Sequence, residues 1–204
     1  CDWSSDVCSS DLAKNSDAKL RIAQAAASLV NRYQTIGLNG GTTTTEVARA
    51  LGNSGTFAPG DEVDRSALTV LTNAVNIAAE LTVRPQIRIV VTGGVARTHS
   101  YELTGPLVES ARDEFALDFA FLGIEGFDLE LGALARFTDE ARVNRAIAKR
   151  ASKTVIVTTS DKFANRTFSV ILKPEEIDTI ITDENLDQKI ANQLIESGIE
   201  ILIA

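Results

Sequence analysis

Ile36-Gly37-Leu38-Asn39-Gly40-Gly41-Thr42-Thr43-Thr44-Thr45-Glu46-Val47-Ala48 is the stretch on which the fold turns. An apolar run of strand character enters a glycine turn, and a hydroxyl-rich segment then opens a helix. Such a turn suits an anion. Glycine lets backbone approach a ligand closely, the first turn of the helix presents free N–H groups at its positive end, and threonine hydroxyls add neutral donors. The loop lacks the Lys of a nucleoside-triphosphate loop, and its paired glycines do not match the spaced triplet of a dinucleotide fingerprint. A small phosphorylated ligand is therefore expected, with helix capping by the threonines as the plainer alternative.

Outward from this stretch the chain alternates between two periodicities. Short apolar, often β-branched runs occur at 35–38, 68–71, 87–91, 119–122, 154–157, 179–181 and 199–203. Amphipathic stretches stand between most of them, at 43–51, 74–81, 103–115, 139–152 and 186–197, and Ala18, Ile22, Ala25, Ala26, Leu29 and Val30 share one face of an earlier helix. This pattern predicts an α/β fold: a largely parallel sheet with helices on both faces. The irregular segment 52–66, with Gly52, Gly55, Pro59 and Gly60, reads as a surface insertion. In an open parallel sheet the ligand lies beyond the carboxyl ends of the strands. Those ends lead into Asn39-Gly40-Gly41-Thr42, Thr72-Asn73, Thr92-Gly93-Gly94, Gly123-Ile124-Glu125-Gly126 and Thr158-Thr159-Ser160-Asp161-Lys162. The expected cleft thus holds exposed backbone, hydroxyls, amides, acids and one lysine, which suits a phosphate at one end and a polyhydroxyl body at the other.

With 204 residues and 44% hydrophobic content, the chain is long enough for one full core. A net charge of -8 argues against a nucleic-acid surface on this chain, and no apolar run reaches membrane-spanning length. Both cysteines, Cys1 and Cys8, lie at the N-terminus, so neither a disulfide framework nor a cysteine metal site is expected, and a cytoplasmic setting follows. The opening CDWSSDVCSSDL lacks periodicity and signal-peptide character and resembles a translated sequencing adapter. Residues 1–14 are accordingly read as a non-native or disordered tail, and 15–204 as the ligand-binding domain.

The ordered set NGGTTTTEVARAL, LTVLTNAVNIAAEL, IVVTGGVAR, LTGPLVESA, DFAFLGIEGFD, FTDEARVNRAIAKRAS and TVIVTTSDKF resembles the C-terminal effector domain of DeoR-type bacterial transcriptional repressors. The resemblance runs from about Lys19 to Asp183. It implies a ribose-5-phosphate isomerase-like fold that binds a phosphorylated sugar or related metabolite and so controls a winged helix-turn-helix. Gly41, Thr42, Thr43 and Thr44 would then hold the phosphate, while Thr72, Asn73, Gly93, Gly94, Glu125 and Lys162 would line the rest of the site, to which Asn39 and Gly40 also belong. Self-association as a dimer or tetramer is implied, whereas a cofactor, a metal, a catalytic residue and a membrane are not. No winged-helix segment precedes Lys19, so operator DNA is expected to require the full-length protein rather than this chain alone.

Three departures from the family pattern stand out. Asn39 replaces a usual Asp, Asn144 replaces a usual Lys, and 52–66 exceeds the usual connection. Local alternatives remain at single residues. Thr72 and Asn73 also suit a helix cap, Glu125 a turn, Lys162 a solvated loop, and Asp139 and Glu140 the acidic first turn of a helix. His99, the sole histidine, falls in a polar loop and is read as exposed. An isomerase or aminosugar-phosphate deaminase of the same fold is the competing class. It would need a base and a cation near the reacting carbons, and Leu131-Gly132-Ala133-Leu134-Ala135-Arg136 lacks the lysine that isomerases carry there.

Overall fold

A computed structural model describes residues 5–58, 66–97, 100–105 and 115–204, with side chains from Asn15 onward. The strands are β1 (Thr35–Leu38), β2 (Leu68–Thr72), β3 (Ile87–Val91), β4 (Val95–Ala96), β5 (Leu103–Thr104), β6 (Leu117–Leu122), β7 (Gly126–Asp128), β8 (Gly132–Ala135), β9 (Ala151–Val157), β10 (Ser169–Leu172), β11 (Thr179–Thr182) and β12 (Glu200–Ile203). The helices are α1 (Ser5–Ser28), α2 (Thr42–Asn53), α3 (Val75–Thr82), α4 (Thr138–Ala148) and α5 (Gln188–Glu196).

Each of the seven apolar runs forms one strand of a seven-stranded sheet, ordered β12-β11-β9-β6-β1-β2-β3 and parallel throughout. Successive side chains point to opposite faces, and both faces are covered. Ile36, Leu38, Val70, Phe121, Val155, Val157 and Ile181 join Ile22 and Ala26 of α1, Val47 and Leu51 of α2, and Ile77 and Leu81 of α3. Leu71, Ala120, Leu122, Ile156 and Ile180 pack on the other face with Val143 and Ile147 of α4 and Leu194 of α5. At Gly37 a side chain would overlap Ile147 and Leu117, so glycine lets α4 settle against the middle of the sheet.

Two expected helices differ. Residues 103–104 are not helical but form β5, which pairs antiparallel with β4; the backbone of Leu103 donates to the Asn73 carbonyl at 2.7 Å, a tertiary tie that overrides local pattern. The remainder of that expected helix, 106–114, lies outside the described residues, as do His99 and the 59–65 part of the insertion. Helix α4 stops at Ala148 because Ala151 already enters β9, where it pairs with Leu117. A second sheet, β10-β8-β7, was not foreseen. Its middle strand, Gly132-Ala133-Leu134-Ala135, is buried yet built largely from small residues of low strand propensity.

Candidate functional site

Strand β1 is followed by β2 and β3 on one side, while β6 and its successors build the other half. The order therefore reverses between β1 and β6, and their carboxyl ends frame a crevice at that switch point. Asn39 closes its base. Its amide nitrogen donates to the Gly123 carbonyl at 2.9 Å and its amide oxygen accepts from the Gly123 N–H at 2.8 Å, joining the two strand ends.

Beyond Asn39 the chain turns through Gly41 at φ 133, a conformation favouring glycine, and enters α2. The first backbone bond of this helix runs from the Thr45 N–H to the Gly41 carbonyl at 3.0 Å. The N–H groups of Thr42, Thr43 and Thr44 thus have no partner within the helix, and they lie at its positive end. Thr44 and Thr45 donate their hydroxyls back to the Gly41 carbonyl at 3.1 and 2.7 Å, so those two threonines stabilise the turn as well.

A cleft of about 580 Å³ opens here. Of the residues singled out from sequence, Asn39, Gly40, Gly41, Thr42, Thr43, Glu125 and Lys162 line it. Thr44 is buried beneath the loop. Thr72 and Asn73 are buried too: the Thr72 hydroxyl accepts from the Ala74 N–H at 3.0 Å, and the Asn73 amide donates to the Leu103 carbonyl at 3.4 Å. Gly93 and Gly94, in left-handed conformations, follow edge strand β3 and stand away from the cleft. Glu125 accepts the Arg136 N–H at 2.6 Å, combining a turn role with a place on the wall. Lys162 sits on the 3-10 turn Ser160–Ala164 with its ammonium 2.9 Å from Asp161.

The floor holds residues that sequence reading missed. Tyr101, at φ 58, donates its N–H to the Arg97 carbonyl, and its own carbonyl accepts from Val75; this left-handed turn delivers Glu102 into the cleft. Glu102 is only 5% exposed and accepts the Gly40 N–H at 3.0 Å. A side chain at Gly40 would overlap Glu102, so glycine is needed for this approach. Glu140, first read as an acidic first-turn residue, does occupy the first turn of α4, but it is 6% exposed and faces Glu102. Burial, reinforced by the neighbouring Glu140 carboxyl, pushes Glu102 up to about 7 against the pull of its Gly40, Asn73 and Ser100 hydrogen bonds. Burial raises Glu140 as well, opposed mainly by Arg97 at 3.2 Å, whose guanidinium also stacks over Phe137 at 3.9 Å. One turn on, Asn144 lines the cleft, and its buried amide oxygen has no hydrogen-bond partner among the described residues. A glutamate before a two-residue strand carries no sequence signal of a site; a glutamate and an asparagine four apart on one helix could have been grouped.

Among the described residues, no group of three or more His, Cys, Asp and Glu is placed to hold a metal ion, and no helix is long and apolar enough to cross a membrane. Chemically, the site offers anion-binding backbone at one end and carboxyl and amide acceptors at the other.

Comparison with known proteins identifies the family and the fold. Residues 14–184 match the model of the DeoR C-terminal sensor domain. Over 191 residues the chain is 30% identical to the putative aga operon transcriptional repressor of Escherichia coli O157:H7, covering 94% of this chain and 67% of that protein. Over 172 residues it is 30% identical to the glycerol-3-phosphate regulon repressor of Escherichia coli K12, covering 84% and 64%. Among solved structures, ribose 5-phosphate isomerase A of Methanocaldococcus jannaschii superposes with a TM-score of 0.51 at 19% identity, over 73% of this chain and 55% of the isomerase, a likeness of fold alone. The chain thus spans about two thirds of the length of these repressors and about half that of the isomerase. It belongs to the DeoR family of transcriptional regulators, as a C-terminal sensor domain.

Proposed function

We propose that this domain binds a phosphorylated sugar or related metabolite in the β1–β6 cleft without turning it over, and that the bound state controls DNA binding by a winged-helix domain of the full-length protein. The observation that carries this reading is the open first turn of α2, whose N–H groups at Thr42 and Thr43 face a cleft with acceptors at its far end. The phosphate sits against this turn with Lys162 as a second contact, and the carbon skeleton extends towards Glu125. A glycerol-3-phosphate regulon repressor among its relatives supports the effector class. For regulation, the ligand must bind one arrangement of the oligomer more tightly than another, and a dimer is the least assembly that matches a two-fold operator. The setting is cytoplasmic.

A thermal-shift panel of sugar and polyol phosphates beside their unphosphorylated parents, with product formation followed in parallel, tests the proposal. Stabilisation by a phosphorylated member alone, without product, is expected. Thr43→Val combined with Lys162→Ala should abolish that shift and leave the fold intact; a retained shift would place the phosphate elsewhere. The isomerase reading draws on one observation, Glu102 held near neutrality as a poised acid or base, and product in the panel would favour it.

A further inference from the structure

The carboxyl groups of Glu102 and Glu140 meet on the cleft floor, one delivered by the Tyr101 turn and the other by α4. An acidic pair alone identifies no ligand, but Asn144 adds an independent observation. It is 3% exposed, its amide oxygen lacks a partner among the described residues, and it lies one helical turn from Glu140 on the same wall. An unmet buried acceptor is costly, and a donor from a ligand would satisfy it. Arg97 is the counter-charge to Glu140 and stacks on the Phe137 ring, while Glu125 adds a further carboxylate nearby.

We propose that Glu102, Glu140 and Asn144 form a donor-selective floor that reads the end of the effector opposite its phosphate, accepting hydroxyl or ammonium groups and excluding a second anion. This rests on the effector-binding reading above and sharpens it. A donor entering the floor hydrogen-bonds to the Asn144 oxygen and to the carboxyl pair, whereas a carboxylate or second phosphate would meet three acceptors in a water-poor recess. Selectivity arises mainly from this repulsion.

The test is isothermal titration of the full chain at pH 8 with matched ligands. Glycerol 3-phosphate is paired with 3-phosphoglycerate, and glucose 6-phosphate and glucosamine 6-phosphate with 6-phosphogluconate. In at least one set the donor-bearing member is expected to bind at least tenfold more tightly than its acid partner, and Glu102→Gln should narrow that ratio. Asn144→Leu separates recognition from structure: it should melt at the same temperature as the parent or higher, because an unmet amide has been removed, yet bind the preferred ligand at least tenfold more weakly. Equal binding of acid and donor partners, or full affinity in a folded Asn144→Leu, would overturn the donor-selective floor and leave the phosphate site standing. Failure of every phosphorylated ligand to bind would overturn both.

Discussion

Glu102→Gln should make the domain more stable at pH 8 while leaving it nearly unchanged at pH 5. In the folded chain Glu102 titrates near 7, pushed there by burial and by Glu140, against an ordinary value of 4.5. Below about pH 4.5 both folded and unfolded chains hold the proton and the residue costs nothing. As pH rises towards 7 the unfolded chain releases the proton and the folded chain keeps it, so folding becomes progressively less favourable; above 7 the penalty is constant. At about 1.4 kcal/mol per unit, the full penalty is about 3–4 kcal/mol, or roughly 7–14 °C in Tm for a domain of this size. Glutamine still accepts from the Gly40 N–H, and its amide can donate to Glu140 in place of the shared proton. Melting temperatures of parent and variant from pH 5 to 8 at constant ionic strength provide the assay. Terms common to both proteins, including self-repulsion from the net charge of -8, largely cancel in the difference. Parallel pH profiles would refute the reasoning, because they would mean that Glu102 ionises in the folded chain as it does in the unfolded one.

Two other substitutions probe the frame around the cleft. Asn39→Asp sets a carboxylate oxygen against the Gly123 carbonyl; a loss of about 2–3 kcal/mol at pH 8, partly recovered at pH 4, is expected from denaturant melts. Asp183 is almost fully buried, which favours its neutral form, yet bonds from the Ser160 N–H and hydroxyl and from Asn185 outweigh burial and hold its carboxyl below the usual range. Its stabilisation is present above the unfolded value near 4 and is lost as pH falls through the lower folded value. Asp183→Asn should therefore cost about 1–3 kcal/mol at pH 7 and flatten the acid end of the stability curve, read by thermal melts from pH 2 to 7.

The main sheet was legible because its strands are buried on both faces and so carry unbroken apolar runs; Ile87-Arg88-Ile89-Val90-Val91, at the edge, is the most mixed of them and still stood out. The phosphate-loop candidate was legible for a similarly local reason, since strand, glycine turn and helix start are consecutive in sequence. Strand order is not local. Of the strand ends away from β1 and β6, Thr72 caps the turn after β2, Asn73 ties β5 and hydrogen-bonds Glu102 from beneath the floor, and Gly93 and Gly94 follow the sheet edge. Glu102 escaped notice, and Glu140 was read first as a helix-start acid with ligand contact second, for the converse reason. They come from opposite sides of β6, β7 and β8, and only the return of the chain through the small β4–β5 hairpin puts one carboxyl against the other. Residues such as Ala133 and Ala135 carry so little strand propensity that the second sheet, which packs behind this floor, was equally hidden.

Two of the departures implied by the family resemblance act together in the cleft. A carboxylate at position 39 would add negative charge next to Gly40 and the Glu102 carboxyl that accepts its N–H; the amide found there removes that charge and turns both of its ends to Gly123. A lysine at 144 would place an ammonium one turn from Glu140 and hold the acidic pair ionised; the amide found there withdraws that cation, leaving Arg97 as the principal counter-charge to Glu140. Each replacement exchanges a charge for an amide, so the number of hydrogen-bonding groups is kept while the electrostatic field on the floor is rewritten. With the lysine gone, the Glu102–Glu140 pair has reason to retain a proton at neutral pH, and a ligand donor can take over that proton's place. Reinstating the cation by Asn144→Lys should lower the Glu102 titration and admit the anionic ligands that the present floor rejects, which ties the sequence departure to effector choice through one measurable charge.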